Sequence, residues 1–598
     1  MGDPAVMPSR RQKGREKVRA ISQRLRAAFG NEYLLMLIFS VVIGLAVSHA
    51  VVGFRKLIGL FQYVFYATET EEYFGTVAAV SEWWHLLLAP TLGGLAVGLF
   101  IHFLMPGGRN HGIPDVMESC AFRGGRMDIK AGVGAALASA ASIGAGASVG
   151  REGPAVHIGA SISSWLAERL NFSRTFSLTL LGCGVASAVS ASFNVPIAGV
   201  FFALEVVIGQ YTLSVFAPIV IASVVSAVVI RNYFGHYPAF VVPEYFIDSL
   251  FEVPVFMVLG LVCALVAVAL MGSVFLIQTG ASKLPGPVWM RPAFGGLAIG
   301  AIAIAWPEVL GVGYQATGYA LKEALPLGLL CALVFAKIAA TSIALGSGFA
   351  GGIFSPSLFV GAMTGGAFGL FAAQLFPDFV STHGAYTVLG MVGVASAVLG
   401  APISTMLVIF ELTNNTQMTI AVMVTVTIAT VVAQMIVRQR SFFVWQLDRR
   451  GITLTDSREQ EAMLATTINT AVSDDFALLP KSASLKQTRE LITRDRPGVV
   501  FVTGKDGRLE GSLTPAGFLE RGLNSRNPNA TAGDVARPCE TVILAHGSLE
   551  YALELMAEAN TDYLPVVDDT RTRKVLGVIY RRDLMRARRR VTEETEEP

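Results

Sequence analysis

Long apolar segments recur from about residue 33 to residue 437, separated by shorter polar or glycine-rich stretches. Four of them read YLLMLIFSVVIGLAVSHAVV, FMVLGLVCALVAVALMGSVFLI, LGLLCALVFAKIAATSIAL and MTIAVMVTVTIATVVAQMIV. Each is close to the roughly 20 residues that a helix needs to cross a bilayer. Others, such as AVHIGASISSWLA, are too short to span, which indicates broken or tilted helices buried inside protein. The pattern predicts an all-α polytopic membrane protein.

The pattern changes at about residue 452, where charged and apolar residues begin to mix. Strand-like runs (GVVFVTG, TVILA, YLPVVDD, KVLGVIY) then alternate with helix-like runs (SLKQTRELITRD, SLEYALELMAEA). These features predict a small soluble α/β domain at the C-terminal end, followed by the acidic sequence EETEEP.

Composition and charge narrow the function classes. The chain is 53% hydrophobic and 15% charged, against roughly 25% charged residues in soluble domains. The net charge of +2, from 46 basic and 44 acidic residues, gives no indication of a nucleic-acid partner. The five cysteines are widely scattered, without metal-ligand spacing or a secreted disulfide pattern. We therefore expect neither a metal site nor nucleic-acid binding.

Basic residues flank the membrane region on both sides. SRRQKGREKVRAISQRLR precedes the first apolar segment and VRQRSFFVWQLDRR follows the last. Because Lys and Arg are enriched on the cytoplasmic side, both termini are predicted to be cytoplasmic, in a multi-pass protein of the cell (inner) membrane. No small-residue cleavage site follows the basic start, so residues 1–30 are predicted to form a basic cytoplasmic helix rather than a signal peptide.

The membrane region contains an internal repeat. GAGASVGREGPAVHIG at 144–159 matches GSGFAGGIFSPSLFVG at 346–361, with four glycines and a proline each 202 residues apart. The hexapeptide GVASAV occurs at 184–189 and again at 393–398. After each copy comes Pro-Ile, with a glutamate nine residues beyond the proline. We divide the membrane region into a first repeat at 31–240 and a second at 250–450.

Duplicated segments with interrupted helices are typical of transporters whose site lies between the repeats, near the bilayer midplane. Glycine permits close approach of the backbone, and proline is favoured in the first turn of a helix. Helix N-termini present unpaired N–H groups with a partial positive charge, which bind anions. The two glycine-rich stretches are therefore the candidate site for an anion.

Three ordered motifs carry a resemblance to a known family. NHGIPD at 110–115, GREGP at 150–154 and GIFSP at 352–356 resemble the motifs of the CLC family of chloride channels and proton/chloride antiporters. The likeness covers about residues 30–450, and the C-terminal part looks like a pair of CBS domains. It implies an inverted-repeat CLC-like fold, a homodimer in the lipid bilayer, chloride as the transported ion, and neither a bound cofactor nor enzymatic activity.

Two other classes were weighed against anion transport. Intramembrane metalloproteases also carry CBS pairs, but they require HExxH, and none of the eight histidines is followed by glutamate. A membrane sensor that reads a ligand through its CBS pair is the remaining alternative, and the intact GREGP and GIFSP motifs argue against it.

The resemblance also implies roles for individual residues. Glu152 of GREGP would be the gate, a carboxylate that occupies an anion position and leaves it when protonated or displaced. An alternative is a structural ion pair with Arg151. The backbone amides of Ile353 and Phe354 would line the central anion site. The full set of expected anion contacts is His111, Gly112, Ile113, Gly150, Arg151, Gly153, Ile353, Phe354 and Phe443.

Departures from the family pattern bear on proton coupling. Family antiporters have two consecutive glutamates where this chain has Glu205 and Val206, and valine cannot carry a proton. The expectation is therefore a passive chloride channel or uncoupled anion transporter. A proton-coupled chloride antiporter is the alternative, because a water chain can replace the second glutamate. Glu205 has a structural alternative as well, since with Glu411 it forms a repeat pair that can tie helices together.

Further departures concern the anion site and its selectivity. His111 replaces the family's serine, and Phe443 aligns with the usual tyrosine, so two hydroxyl groups that touch the anion are missing. His111 would supply an N–H and a pH dependence, or else be satisfied by neighbouring carbonyls. Fluoride or nitrate selectivity is accordingly an alternative to chloride.

The C-terminal part divides into a linker at 451–466, a first CBS domain at 467–525, a second at 529–590 and an acidic tail at 591–598. In CBS modules a hydroxyl and an aspartate hold an adenine nucleotide. GSLTPAG keeps Thr514 without the aspartate, and GVIYRRD keeps Asp583 without the hydroxyl. We expect a structural and regulatory pair, with an adenine nucleotide as the alternative.

Overall fold

The structure is a computed structural model that divides into two compact units, residues 1–454 and 455–598. It describes residues 32–596 apart from 69–73, 171, 210, 236–239, 241, 244, 246–251, 284, 377–380, 414, 453–462, 464–465, 523–526, 528–529, 540, 560 and 570–571. The predicted basic helix at 1–30 and most of the predicted linker at 451–466 lie outside the described residues.

The first unit is helical. Its helices are α1 (Glu32–Tyr66), α2 (Phe74–Val80), α3 (Trp83–Leu104), α4 (Ile113–Phe122), α5 (Ile129–Gly144), α6 (Glu152–Leu170), α7 (Arg174–Phe193), α8 (Pro196–Phe202), α9 (Leu213–Phe234), α10 (Val253–Ser282), α11 (Arg291–Ala305), α12 (Tyr314–Leu321), α13 (Leu327–Ser347), α14 (Phe354–Leu375), α15 (His383–Leu399), α16 (Pro402–Thr413), α17 (Thr416–Val437) and α18 (Phe442–Arg449). A π-helical segment, Ala203–Ile208, continues α8. Within the described ranges, nine helices are long and apolar enough to cross a membrane, which confirms the predicted polytopic class.

The order of these helices repeats. With α2 set aside, α1 and α3–α9 correspond in order to α10–α17. The glycines that follow the helix before each glycine-rich motif also correspond, because Gly146 has φ +94° and Gly348, 202 residues later, has φ +104°. Other residues rarely adopt this left-handed conformation. Both copies of the repeat thus make the same sharp turn before their glycine-rich segment.

Close backbone packing explains why glycine recurs inside the helices. A methyl group on Gly159 in α6 would lie 2.6 Å from the carbonyl oxygen of Gly184 in α7. In the second repeat, a methyl group on Gly361 in α14 would lie 2.4 Å from the carbonyl oxygen of Gly390 in α15. Glycine is therefore required for the α6–α7 and α14–α15 pairs to approach this closely. The pairs bury the segments that carry the site.

Two glutamates join the repeats reciprocally. Glu411 at the end of α16 accepts hydrogen bonds from the backbone nitrogens of Ile197 (2.9 Å) and Ala198 (2.8 Å) in the first turn of α8. Glu205, after α8, accepts from the nitrogens of Ile403 (3.0 Å) and Ser404 (2.8 Å) in the first turn of α16. Each carboxylate therefore caps the helix of the opposite repeat, where N–H groups lack intrahelical partners.

The second unit contains two similar halves. The first has β1 (Phe476–Pro480), α19 (Leu485–Asp495), β2 (Val499–Thr503), β3 (Leu509–Leu513) and α20 (Pro515–Arg521), followed by α21 (Ala532–Val535) and β4 (Arg537–Pro538). The second has β5 (Ile543–Leu544), α22 (Leu549–Glu558), β6 (Tyr563–Val567), β7 (Val575–Tyr580) and α23 (Arg581–Glu596). In each half a parallel strand pair is followed by an antiparallel one. This order confirms the predicted α/β character.

A short segment at the start of the unit packs with the second half. Ile468 and Ala471 lie in the hydrophobic core formed by Ile543 and Leu549 of the second half. Ser473 also exchanges two backbone hydrogen bonds with Val578 in β7. Residues 468–473 thus pack with the second half, although the sequence assigns them to the first CBS domain at 467–525. The predicted acidic tail at 591–598 continues α23 as far as residue 596.

The reciprocal caps generate a stability prediction. Replacing Glu205 or Glu411 with glutamine removes the charge and one acceptor, and each change should cost about 1–3 kcal/mol because a helix-terminal N–H group loses a charged partner. Thermal unfolding in detergent should show a lower midpoint for both variants. The matched control is Glu82→Gln, since Glu82 is exposed and makes no cap hydrogen bond at the start of α3. Equal midpoints for all three variants would show that the caps do not hold the repeats together.

Candidate functional site

The two glycine-rich segments meet at a single point between the repeats. The nitrogen of Gly150 donates to the carbonyl oxygen of Gly352 (2.7 Å), and the nitrogen of Gly352 donates to the carbonyl oxygen of Gly150 (2.8 Å). Gly153 lies against the same partner, because a methyl group on it would be 3.3 Å from the Gly352 Cα. The starts of α6 and α14 are thereby held together. The structure thus brings GREGP and GIFSP into one site.

Glu152, the first residue of α6, crosses from one repeat to the other. It is buried, and its Oε1 accepts hydrogen bonds from the hydroxyl groups of Ser355 in α14 and Tyr314 in α12 (2.9 Å to Tyr314). Both donors belong to the second repeat. The carboxylate therefore lies at the first turn of α14, where helix N–H groups carry partial positive charge.

Glycine at position 150 makes room for this carboxylate. A methyl group there would lie 2.9 Å from Glu152 Oε2 and 3.0 Å from the backbone nitrogen of Ser355. The same small space is thus bordered by the carboxylate and by an amide of the α14 first turn. Oε2 accepts no hydrogen bond from any part of the chain that the structure describes. Two hydroxyl groups thus hold Oε1 of Glu152, whereas Oε2 faces the small space beside Gly150.

Arg151 contributes charge close to the carboxylate and is anchored elsewhere. Its Nε lies 4.0 Å from Glu152 Oε1, farther than the hydrogen-bonded hydroxyls. Its guanidinium group donates to the carbonyl oxygen of Ser192 (3.2 Å) and stacks 4.7 Å from the ring centre of Tyr314. Arg151 therefore stabilises the surroundings of Glu152 mainly through charge and through Tyr314.

The start of α14 matches the geometry expected of an anion site. Ile353 precedes the helix and Phe354 is its first residue, so the N–H groups of this turn have no intrahelical acceptor. The Phe354 ring packs against Phe193 (5.1 Å) and Phe202 (5.9 Å) in the first repeat. The aromatic ring fills the core while its backbone remains at the helix start.

Polar groups of the NHGIPD segment make hydrogen bonds within the protein. Gly112 is the N-cap residue of α4, and its backbone nitrogen donates to Asp115 Oδ2 (2.9 Å), so this N–H is used by the helix cap. His111 directs Nε2 to the carbonyl oxygen of Pro106 (3.1 Å) and Nδ1 to Asp115 Oδ1 (3.4 Å). Both ring nitrogens therefore face protein acceptors. Ile113 is the third residue predicted to contact the anion in this segment. Its N–H lies in the first turn of α4, where N–H groups have no intrahelical acceptor.

A positive cluster surrounds the same carboxylate. Asp115 Oδ1 also pairs with Arg109 (2.6 Å) and with Arg450 (3.3 Å), which follows α18. Two guanidinium groups against one carboxylate leave a net positive charge beside α4, whatever the state of His111. Fields of this sign raise the local concentration of anions.

Helix α6 connects this cluster to Glu152. The ring of His157, buried in α6, lies 5.6 Å from the ring of His111. His157 is five residues beyond Glu152, or about 8 Å along a helix that rises 1.5 Å per residue. Glu152 at the start of α6 and the positive cluster beside His157 are therefore about 8 Å apart along the axis of α6.

The remaining predicted residues are near α4 or in the opposite repeat. Val206 is buried in the π-helical segment, which packs against α4. Phe443 is buried at the start of α18, which also packs against α4. Glu205, next to Val206, points instead to the first turn of α16, where it forms the cap described above. This contact is the structural role considered for Glu205.

Two side chains that donate hydrogen bonds to Glu152 were not identified from the sequence. Ser355 lies inside GIFSP, and a hydroxyl in front of a helix-starting proline was the available signal. Tyr314, in GVGYQ, lies 162 positions from Glu152, and no sequence pattern ties it to that residue. Among the described residues, no group of three His, Cys, Asp or Glu side chains is arranged to hold a metal ion.

In the second unit, both candidate nucleotide contacts have protein partners. The Thr514 hydroxyl caps α20 by accepting from the nitrogen of Gly517 (3.1 Å). Asp583 lies near Arg582 (3.6 Å) and Arg586 (3.7 Å) in α23. The Tyr580 hydroxyl donates to the carbonyl oxygen of Asp475 (2.7 Å), and burial raises the pKa of its phenol, which keeps it a donor.

Comparison with known proteins agrees with this architecture. The voltage gated chloride channel family profile matches residues 93–434, and the CBS domain profile matches residues 532–590. The putative chloride channel protein ClcB-like of Ralstonia nicotianae is 30% identical over 392 residues, covering 65% of this chain and 91% of that protein. The voltage-gated ClC-type chloride channel ClcB of Escherichia coli is 30% identical over 409 residues, covering 67% of this chain and 95% of that protein.

The fold is shared with solved structures as well. The crystal structure of a slow cyanobacterial Cl−/H+ antiporter superposes with a TM-score of 0.62 at 20% identity, covering 69% of this chain and 97% of the antiporter. The family profile spans more than half of the chain, and the two relatives match over at least nine tenths of their own length. The chain is therefore a multi-pass membrane protein that belongs to the CLC family of chloride channels and antiporters and carries a C-terminal CBS domain.

Proposed function

We propose that this chain forms a passive chloride pathway, in each subunit of a homodimer in the cell (inner) membrane, with Glu152 as the gate. The observation that carries the proposal is the Glu152 carboxylate at the first turn of α14, held by Ser355 and Tyr314 of the opposite repeat. A helix start inside a membrane protein is a site for an anion. Transport rather than enzymatic catalysis is the activity that this arrangement supports.

The mechanism is competition between a tethered and a free anion. The ionised carboxylate and chloride need the same donors, so the ionised gate excludes chloride from the first turn of α14. Protonation removes the negative charge and weakens the hydrogen bonds from both hydroxyl groups. The freed hydroxyl groups and the N–H groups of Phe354 and Ser355 then donate hydrogen bonds to chloride. Flux should accordingly rise as pH falls.

The lack of a titratable side chain at Val206 supports passive chloride flux without proton exchange. Valine has no titratable group, and neighbouring Glu205 is bound by two backbone N–H groups and the Ser404 hydroxyl. These three contacts commit the Glu205 carboxylate to the start of α16, away from Val206. The competing candidate is a proton-coupled antiporter, because the cyanobacterial structure of the same fold is of a Cl−/H+ antiporter.

Anion selectivity is proposed to rest on backbone amides. Gly112 and His111 use their N–H groups internally, and Phe443 has no polar atom in its side chain. Chloride is thus expected to be bound by helix-start N–H groups and by the Ser355 hydroxyl. Such donors discriminate weakly, so nitrate and bromide should pass also, whereas a fluoride-selective pathway would require contacts that these residues do not provide.

The CBS region is proposed to be structural and regulatory. Thr514 and Asp583 both have protein partners, and the orientation proposed from the basic flanks puts both termini in the cytoplasm. We therefore expect no adenine nucleotide to be required for flux.

The first prediction concerns coupling. Purified protein in liposomes with symmetrical chloride and an imposed proton gradient should show no uphill chloride movement, because no second carboxylate carries the proton past Val206. Chloride efflux and internal pH are recorded together. The control is Val206→Glu, which restores a titratable group. Proton-driven chloride accumulation by the unmodified protein would contradict the passive proposal and establish the antiporter.

A second prediction concerns pH. Glu152→Gln imitates the protonated gate, so chloride flux should be high at neutral pH and nearly independent of pH, while the unmodified protein gains flux as pH falls. Flux is measured from pH 4.5 to 7.5 on the same vesicle preparation. If the variant kept the pH dependence of the parent, the sensing group would be His111, and His111→Asn would be the change that removes it.

A third prediction concerns the nucleotide. Titration of the full-length protein with ATP or AMP should give no heat of binding, and neither nucleotide should change flux. Saturable binding that is lost in Asp583→Asn would contradict this expectation.

A further inference from the structure

The least exposed charged side chain in the described membrane unit is Lys337, in the middle of α13, with 0% of its surface accessible. Its Nζ donates to the carbonyl oxygens of Val309 (2.8 Å) and Gly311 (2.9 Å). The same nitrogen lies 4.8 Å from the ring centre of Phe359 in α14. Two carbonyls and an aromatic face therefore receive the ammonium group, and no carboxylate in the described residues pairs with it.

An ionisable group buried in a membrane protein is costly and is retained mainly for function. The contacts of Lys337 show which part of the molecule depends on it. Val309 and Gly311 belong to the segment that leads into α12, and this segment contains two glycines in the left-handed conformation, Gly311 (φ +60°) and Gly313 (φ +89°). Glycine restricts the backbone least, so the segment needs external contacts to hold one conformation.

The segment ends at the partner of the gate. Gly313 is the N-cap residue of α12, and a methyl group on it would lie 3.2 Å from Lys337 Nζ. The next residue is Tyr314, whose hydroxyl donates to Glu152 Oε1 (2.9 Å). Lys337 fixes the backbone immediately before Tyr314 and thereby fixes where the hydroxyl meets the carboxylate.

We infer that Lys337 is a positioning residue for the Glu152 gate, acting through the Val309–Gly313 segment and Tyr314. The inference rests on the proposed gating role of Glu152. Lys337 touches neither Glu152 nor the first turn of α14 in any contact of the structure. Its effect on flux is transmitted by the Tyr314 hydroxyl, which holds the Glu152 carboxylate in the closed position through a hydrogen bond.

The test compares Lys337→Met with Tyr314→Phe. Methionine keeps the length and removes both hydrogen bonds, and phenylalanine removes the hydroxyl that holds the gate. A hydrogen bond to a charged group corresponds to roughly tenfold or more in an equilibrium constant. Each variant should therefore raise chloride flux at neutral pH about tenfold, and the double variant should exceed Tyr314→Phe by less than about twofold.

Background and control variants separate positioning from a general loss of packing. In an E152Q background, Lys337→Met should leave flux unchanged, since the gate it positions is already released. Lys337→Arg retains donors for the two carbonyls and should restore most of the closed behaviour. Ser342→Ala is the matched control: Ser342 is buried in the same helix and bonds to Ser273 (2.7 Å), away from the segment. Its flux should equal that of the parent.

The inference is overturned if Lys337→Met changes flux equally with and without E152Q, or if Ser342→Ala reproduces its effect. Chloride binding measured by calorimetry is the second readout. Lys337→Met should bind chloride about tenfold more tightly than the parent at neutral pH, with no difference in the E152Q background. Proton-coupled flux in the parent would refute only the passive proposal, because the comparison across backgrounds and the binding readout do not depend on coupling.

Discussion

Unpaired helix starts inside the membrane are the constraint on which the structure depends. Breaking helices between the repeats exposes N–H groups that neither lipid nor bulk water can satisfy. Glu411 and Glu205 satisfy two of these helix starts, each through two backbone N–H groups of the opposite repeat. Glu152 approaches a third, at α14, and is held by the hydroxyls of Ser355 and Tyr314 instead. The first two contacts join the repeats, and the third is the one that we propose chloride can replace.

This difference relates fold to function. A carboxylate that accepts from two backbone N–H groups of the opposite repeat is part of the scaffold, because it links elements that are far apart in sequence. A carboxylate bound by rotatable hydroxyls loses its advantage once it is protonated or once a free anion competes. Phe354 occupies the position in the second repeat that corresponds to Glu152 in the first, and it carries no charge. The two repeats therefore differ at this position, where the proposed gate lies.

The sequence predicts these features unequally, for physical reasons. Gly146 and Gly348, the GREGP and GIFSP segments and Glu152 are predictable because the duplication preserves their spacing and because a membrane charge is rare. The positions of Tyr314 and Lys337 follow from packing between distant helices, which spacing does not encode. The anion-binding role expected of His111 and Gly112 stays a prediction. The structure adds that Asp115 caps α4 and contacts the Gly112 nitrogen and the His111 ring, a local cap that the motif alone does not reveal.

The central claim is that Glu152 occupies an anion position, and direct observation of the anion tests it most directly. Anomalous scattering from bromide should be recorded for crystals of the parent and of the Glu152→Gln variant grown at neutral pH. The account predicts a bromide peak within hydrogen-bond distance of the Ser355 hydroxyl and the first N–H groups of α14 in the variant. In the parent the carboxylate should fill that position. Bromide at the Ser355 position beside an unmoved carboxylate, or no bromide there in the variant, would contradict the account.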